Sequence, residues 1–139
     1  MSTANQTSRR QFRLPPEDEA FLDGLGLVWE TLIVGNERWV IIRNMVLPSG
    51  YDRTTTDVAI RMAPAYPPGA LDMAYFNPPL VRANGAAMPN TEALVQIDGK
   101  SWQQWSRHRT QDNPWVLGED NLESHYFFMR AWLVDELKR

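Results

Sequence analysis

The stretch LVWETLIVGNERWVIIRNMVL, Leu27–Leu47, decides the fold that the sequence predicts. Its two halves, residues 27–34 and 38–47, are rich in the Trp, Val, Ile and Leu side chains that favour β-strands. Gly35-Asn36 between them is typical of a tight turn that joins two strands. The stretch therefore predicts an antiparallel hairpin, which supplies the first two strands of a sheet.

Two further strands are predicted after the hairpin. Within residues 54–62, Val58, Ile60 and Met62 alternate with more polar neighbours, as in a half-buried strand. Residues 71–76 form a fourth strand, which Asn77-Pro-Pro79 ends because proline cannot donate to a sheet ladder. We therefore expect a four-stranded antiparallel meander.

Helices are predicted on both sides of this meander. Residues 16–23 begin with proline and acidic residues and stop at Gly24, which is the signature of a short helix. Residues 119–138 have apolar side chains at helical spacing, and residues 80–118 have no sustained period. The order predicts an α+β fold in one domain, residues 14–139, with a C-terminal helix packed on the sheet. Residues 1–13 are predicted to be a flexible polar tail.

The composition excludes several classes of function. The chain of 139 residues has no cysteine, so thiolate nucleophiles and thiolate metal sites are excluded. No histidine or carboxylate stands at a recognised ligand spacing, and no metal or cofactor is predicted. A net charge of −3 argues against a protein that mainly coats nucleic acid. No run approaches the roughly 20 apolar residues of a membrane span. We expect a soluble, cytoplasmic protein.

Residues 102–109, Trp-Gln-Gln-Trp-Ser-Arg-His-Arg, concentrate reactive and aromatic side chains within the segment that has no period. Ser106 and His108 could act as nucleophile and general base, because a serine hydroxyl needs a neighbouring base to lose its proton. The carboxylate that would orient the imidazole is left open between Asp98, Asp112 and Asp120.

The same segment has two other interpretations. Its tryptophans, with Trp115, could stack the bases of a single-stranded nucleic acid while the arginines follow the phosphates. Alternatively, the tryptophans fix the segment to the sheet, and the arginines pair with carboxylates or stack on rings. The residues by themselves favour this second, structural interpretation.

A series of short motifs resembles one known family. They are, in order, Leu14-Pro-Pro, Leu47-Pro-Ser-Gly-Tyr51, Tyr66-Pro67, Leu71-Asp-Met73, Asn77-Pro-Pro-Leu80, Ile97-Asp-Gly-Lys100, Gln104-Trp-Ser-Arg-His-Arg-Thr110 and Asn113-Pro-Trp115. Together they resemble prokaryotic family E of the ubiquitin-conjugating (UBC) superfamily, over about residues 14–136. The resemblance implies a UBC-like fold with a long active-site segment before the last helix.

The resemblance also implies a function. UBC enzymes carry a ubiquitin-like protein as a thioester on cysteine, which this chain lacks, and Met88-Pro-Asn90 only echoes their His-Pro-Asn element. A serine or threonine could form an oxyester instead. The position that corresponds to the missing cysteine depends on the motif from which residues are counted, and it falls at Thr91, at Ser101 or at Ser106. We favour Ser106 as the nucleophile, with His108 as base and Arg107 stabilising the oxyanion.

The implied partners are a ubiquitin-like protein and an activating enzyme that consumes ATP, in a bacterial pathway that the resemblance connects with antiviral defence. The residues expected to contact them are Tyr66, Pro67, Trp102, Trp105, Arg109 and Trp115. A different interpretation is a binding module without catalysis, which docks the ubiquitin-like protein or the activating enzyme. Binding of single-stranded nucleic acid is a minor third hypothesis.

Overall fold

The computed structural model describes residues 8–139, which form two helices and one sheet. The helices are α1 (Pro16–Gly24) and α2 (Leu122–Glu136). The strands are β1 (Trp29–Val34), β2 (Glu37–Val46), β3 (Thr55–Met62), β4 (Ala74–Asn77), β5 (Leu94–Ile97) and β6 (Lys100–Trp105). All neighbouring strands are antiparallel, in the order β1-β2-β3-β4-β6-β5.

The predicted hairpin is present, and its register follows from the two-residue turn. Val34 pairs with Glu37, and Gly35 adopts a φ of 62°, which glycine tolerates without strain. Strand β4 begins later than predicted, because Met73 has a φ of 58° that interrupts the extended chain. Helix α2 begins at Leu122 instead of residue 119, since the side chain of Asn121 caps it by accepting from the backbone N–H of Ser124.

The sheet has six strands and not the predicted four, because the segment predicted to be irregular, residues 80–118, contains a further hairpin. Residues 94–105 form the hairpin of β5 and β6, joined by the two-residue turn Asp98-Gly99. Strand β6 then pairs with β4 and extends the sheet to six strands. The tryptophans of the opening cluster therefore lie on a strand. Because side chains alternate along a strand, Trp102 and Trp105 point to opposite faces of the sheet.

Each face of the sheet has its own apolar core. Both helices pack on one face, where Trp105 lies among buried side chains from α2 such as Met129 and Leu133. The other face carries a smaller core with no helical residue, built around Trp39, Tyr75 and Trp102. The rings of Trp39 and Tyr75 meet edge to face at 5.0 Å.

The sheet curls around this smaller core, and Arg9 joins its two edge strands. The guanidinium of Arg9 contacts Glu30 on β1 at 2.9 Å and Asp98, directly after β5, at 2.9 Å. Of the predicted flexible tail, residues 1–7 lie outside the described residues. Residues 9–11 follow the edge of β1, where Thr31 N–H donates to the carbonyl of Arg9 and Gln11 N–H donates to that of Thr31.

Helix α2 is fixed to the sheet by polar contacts as well as by packing. The buried hydroxyl of Tyr51 donates to the carbonyl of Leu133 at 2.6 Å. The guanidinium of Arg82 donates to the carbonyls of Leu137 and Arg139, beyond the last turn of the helix. These carbonyls have no partner within the helix, and a cation is favoured at the negative end of the helix dipole. The end of α2 is thereby held beside the segment that follows β4.

Glu30 gives the fold a testable pH dependence. Hydrogen bonds from Arg9, and secondly from Arg43, lower the pKa of this buried carboxyl from 4.5 to about 2. The carboxylate contributes its full stabilisation above pH 4.5, and loses it as the pH falls toward 2, because the unfolded chain takes up the proton first. We expect Glu30→Gln to lower the free energy of unfolding by about 2 kcal/mol at pH 7 and by little near pH 2.

Urea unfolding of both proteins from pH 2 to pH 7 measures this difference. The exposed Glu119, with Glu119→Gln, serves as the matched control. If the loss of unfolding free energy in Glu30→Gln is the same over the whole pH range, the result contradicts the assigned ion pairs.

Candidate functional site

The candidate site lies where β6 ends between β4 and the turn that contains Pro89 and Asn90. Ala74 pairs with Trp105 in the ladder, and one step further Met73 N–H donates to the carbonyl of Arg107 at 3.2 Å. On the opposite side of the same chain, Ser106 N–H donates to the carbonyl of Asn90 at 3.0 Å. The backbone of residues 106 and 107 is therefore fixed from both sides.

Ser106 is half-buried, and its hydroxyl oxygen accepts a hydrogen bond from Nε2 of Gln104 at 3.0 Å. The two residues are two positions apart, so they lie on the same face of the extended chain. This is the face that carries the smaller core. The amide of Gln104 fixes the position of the oxygen and leaves the hydroxyl proton available to a base.

His108 is held by a carboxylate, although not by any of the three considered from the sequence. Its Nδ1 lies 2.9 Å from Oδ2 of Asp72, and both side chains are accessible, with exposed fractions of 59% and 43%. Asp98 instead pairs with Arg9, and Asp120 lies near Arg109. Within residues 8–139, Nε2 of His108 has no hydrogen-bond partner, and no hydrogen bond joins His108 to Ser106.

Arg107, expected from the sequence to stabilise the oxyanion, has partners elsewhere in the chain. One terminal nitrogen donates to the carbonyl of Pro89 at 3.1 Å, and the other contacts Oε1 of Glu136 at 2.9 Å. The side chain of Glu136 is only 2% exposed, so this is a largely buried ion pair. Arg107 therefore joins the turn at Pro89 to the end of α2, and braces the backbone on which Ser106 stands.

The two alternative nucleophiles are less suitably placed. Thr91 is buried, and its hydroxyl already donates to the carbonyl of Met88 at 2.8 Å. Ser101 is exposed and accepts a hydrogen bond from Gln96, on the β5–β6 hairpin. In the described part of the chain, no histidine or carboxylate is hydrogen-bonded to either hydroxyl. Of the three candidates, only Ser106 has an oriented imidazole two residues away.

Comparison with known proteins assigns the chain to a family. The profile of prokaryotic E2 family E matches residues 14–136, which is nearly all of the chain. The chain belongs to this family. Searches of the curated proteins and of the solved structures found no significant match. E2 is the ubiquitin-conjugating component of a pathway, so the resemblance seen in the sequence is confirmed, and this E2-like chain has a role in a ubiquitin-like conjugation pathway.

Tyr66, one of the expected contact residues of this E2-like chain, fixes the two helices to each other. Its hydroxyl donates to Oδ2 of the buried Asp18 at 2.6 Å and accepts from the first N–H of α2, at Leu122, at 2.8 Å. Burial raises the pKa of both groups, Tyr66 and Asp18. Nε1 of Trp115 donates to the carbonyl of Pro67, which is exposed.

The other expected contact residues are mostly enclosed. Trp102 and Trp105 are buried, so neither ring offers surface to a partner in this conformation. Arg109 lies over Trp115 at 5.3 Å and over Phe128 at 4.6 Å, and its side chain is largely covered. Base stacking needs exposed rings, so these positions give the nucleic-acid interpretation no support. They match the structural interpretation of the tryptophans and arginines.

Three residues of the site were missed by sequence reasoning: Asp72, Gln104 and Glu136. Asp72 lies 36 positions before His108 and reaches it only because β4 pairs with β6. The one available signal was the spacing of Gln104 and Ser106, which on a strand places both side chains on one face. Nothing in the sequence connects Glu136 with Arg107.

Two further observations concern metal binding and membrane-spanning helices. Among residues 8–139, no three histidine or acidic side chains are grouped so that they could hold a metal ion. The same residues include no helix that is long and apolar enough to cross a membrane.

The brace formed by Arg107 can be tested by substitution. Arg107→Ala leaves the carboxylate of Glu136 buried without its main partner, which costs roughly 3 kcal/mol of unfolding free energy. The double variant Arg107→Met/Glu136→Leu replaces both charges with apolar groups and should recover most of that loss. Urea denaturation measures both. Equal losses in the single and double variants would show that the ion pair does not brace the site.

Proposed function

We propose that this E2-like protein receives a ubiquitin-like protein from its activating enzyme as an ester on Ser106. The observation that carries the proposal is the Asp72–His108 pair beside a serine whose backbone is fixed on both sides. Because the chain has no cysteine, a thioester on this protein is excluded, and a hydroxyl is the nucleophile of choice.

The chemistry follows from the hydrogen bonds. A carboxylate can only accept, so Asp72 favours the tautomer of His108 in which Nδ1 carries the proton and Nε2 has the free electron pair. Nε2 then takes the proton of Ser106 while Oγ attacks the carbonyl carbon of a thioester that joins the ubiquitin-like protein to a cysteine of the activating enzyme. A carbon–oxygen bond forms, the carbon–sulfur bond breaks, and the leaving thiolate takes the proton from the imidazole.

One rearrangement is required before this step. The Ser106 oxygen accepts from Gln104 and has no hydrogen bond to His108, so the proposed step requires the exposed imidazole to bring Nε2 to the hydroxyl while Nδ1 stays with Asp72. Catalytic hydrogen bonds often tighten only when the substrate is bound. The side-chain amide of Gln104 donates to Oγ and so holds the nucleophile in position for the attack. ATP is consumed by the activating enzyme, and the chain itself needs no cofactor for the transfer.

A first test removes the nucleophile. The protein is incubated with ATP and with an activating enzyme and a ubiquitin-like protein from the same genome, and intact masses are recorded. We expect an adduct that resists thiols, is cleaved by hydroxylamine and is absent from Ser106→Ala. Ser101→Ala and Thr91→Val are the matched controls and should keep the adduct. An adduct that survives in Ser106→Ala assigns the nucleophile elsewhere.

A second test addresses the base. General acid–base catalysis contributes about 10²- to 10⁴-fold, so His108→Ala should slow ester formation by at least about 100-fold. Asp72→Asn should slow it as well, because an amide can donate to Nδ1 and favour the wrong tautomer. Quench-flow measurement of the transfer rate from pH 5 to pH 9 checks both. An unchanged rate and pH profile in His108→Ala would remove the imidazole from the mechanism.

The second candidate function is a binding module that positions the ubiquitin-like protein or the activating enzyme without forming a bond. The observation in its favour is that Ser106 and His108 each have another partner and are not bonded to each other. In that case Ser106→Ala and His108→Ala both leave the output of the reconstituted pathway unchanged, whereas deletion of the protein abolishes it.

A further inference from the structure

The two edges of the sheet differ in how they are protected. At β1, residues 9–11 cover the edge with two backbone hydrogen bonds to Thr31, and the side chain of Gln11 accepts from the N–H of Ile33. At β5, no described residue is hydrogen-bonded to the outer backbone groups of the strand. An uncovered edge presents N–H and C=O groups that can pair with another chain.

The turn at Asp98-Gly99 determines which groups face outward. In a two-residue hairpin the residues that flank the turn, Ile97 and Lys100, form a hydrogen-bonded pair, and such pairs then alternate. Gln104 N–H donates to the carbonyl of Ala93, as this alternation requires. The backbone groups of Leu94 and Gln96 therefore point away from the sheet, ready to bind an added strand.

The direction of such a strand connects it with the proposed site. A strand added antiparallel to β5 runs in the same direction as β6, whose C-terminal end leads to Ser106. Strands are spaced about 4.8 Å apart, so Ser106 lies roughly 10 Å inward from the added strand, a gap that about three extended residues span. The free carboxyl end of an added segment would thus arrive at the Ser106 end of the sheet.

We propose that β5 binds the extended C-terminal tail of the ubiquitin-like protein as a seventh strand, antiparallel to β5, with the last residues crossing to Ser106. This inference rests on the proposed function in one respect, which is that the carboxyl end of the tail has to reach Ser106. Leu94, with 59% of its surface exposed, supplies an apolar contact on one face. The exposed carboxylate of Glu92, just before β5, favours a tail that carries a basic side chain near this end, whereas Asp98 at the other end is already paired with Arg9.

The test uses the full chain and a ten-residue peptide with the C-terminal sequence of the ubiquitin-like protein that forms the adduct in the first test. Gln96→Pro removes one outward N–H without touching the ladder to β6, and should weaken binding about tenfold. Gln96→Ala keeps that N–H and should bind within about twofold of the unchanged chain. Isothermal titration calorimetry measures the affinities of the peptide. The backbone amide NMR signals of Trp102 and Gln104 report whether the hairpin is intact.

A second measurement leaves the protein unchanged. Peptides are methylated at one backbone nitrogen at a time, and we expect binding to be lost at every second position, because alternate N–H groups of an added strand face β5. Loss without this alternation, or equal binding of Gln96→Pro and Gln96→Ala, overturns the proposal. Ser106→Ala should bind the peptide normally while forming no ester, so failure of docking and failure of the ester chemistry are distinguishable.

Discussion

The pairing of β4 with β6 is the constraint on which the rest of the structure depends. Three residues of each strand, 74–76 and 103–105, form the ladder that connects the first half of the sheet with the β5–β6 hairpin. The same ladder continues as the hydrogen bond between Met73 and Arg107, and so brings Asp72 beside His108. If this register moved by one residue, Trp102 and Trp105 would exchange faces and both cores would be lost.

The two cores explain why the cluster at residues 102–109 is so rich in large side chains. Trp105 is buried in the core between the sheet and the helices. Trp102 is buried in the smaller core on the other face of the sheet. The reactive side chains begin directly after Trp105, where the ladder ends and the chain is free to expose them. The aromatic residues therefore position the site from beneath, and Arg107 with Glu136 fixes it from the side of α2.

Much of this fold was predictable from the sequence. The first hairpin, β3 and both helices follow from local patterns, since a glycine turn, a period of two and a helical period each specify one element. The β5–β6 hairpin was missed although Asp98-Gly99 is a hairpin signal, because β5 is only four residues long and β6 contains two glutamines. The docking of residues 9–11 was missed because Arg9 and Arg10 resemble a solvated tail until their partners are known, which are Glu30 and Asp98 for Arg9 and the carbonyl and ring of Trp29 for Arg10.

The site was predictable only in part, for a physical reason. Ser106 and His108 are neighbours in sequence, whereas Asp72 reaches His108 through strand pairing over 36 residues and Glu136 reaches Arg107 through helix packing over 29 residues. Tandem mass spectrometry of the charged wild-type protein tests the central claim most directly, because it locates the bond to the ubiquitin-like protein. The account predicts an ester on Ser106. A bond to a lysine, to another hydroxyl, or no bond at all, would contradict it.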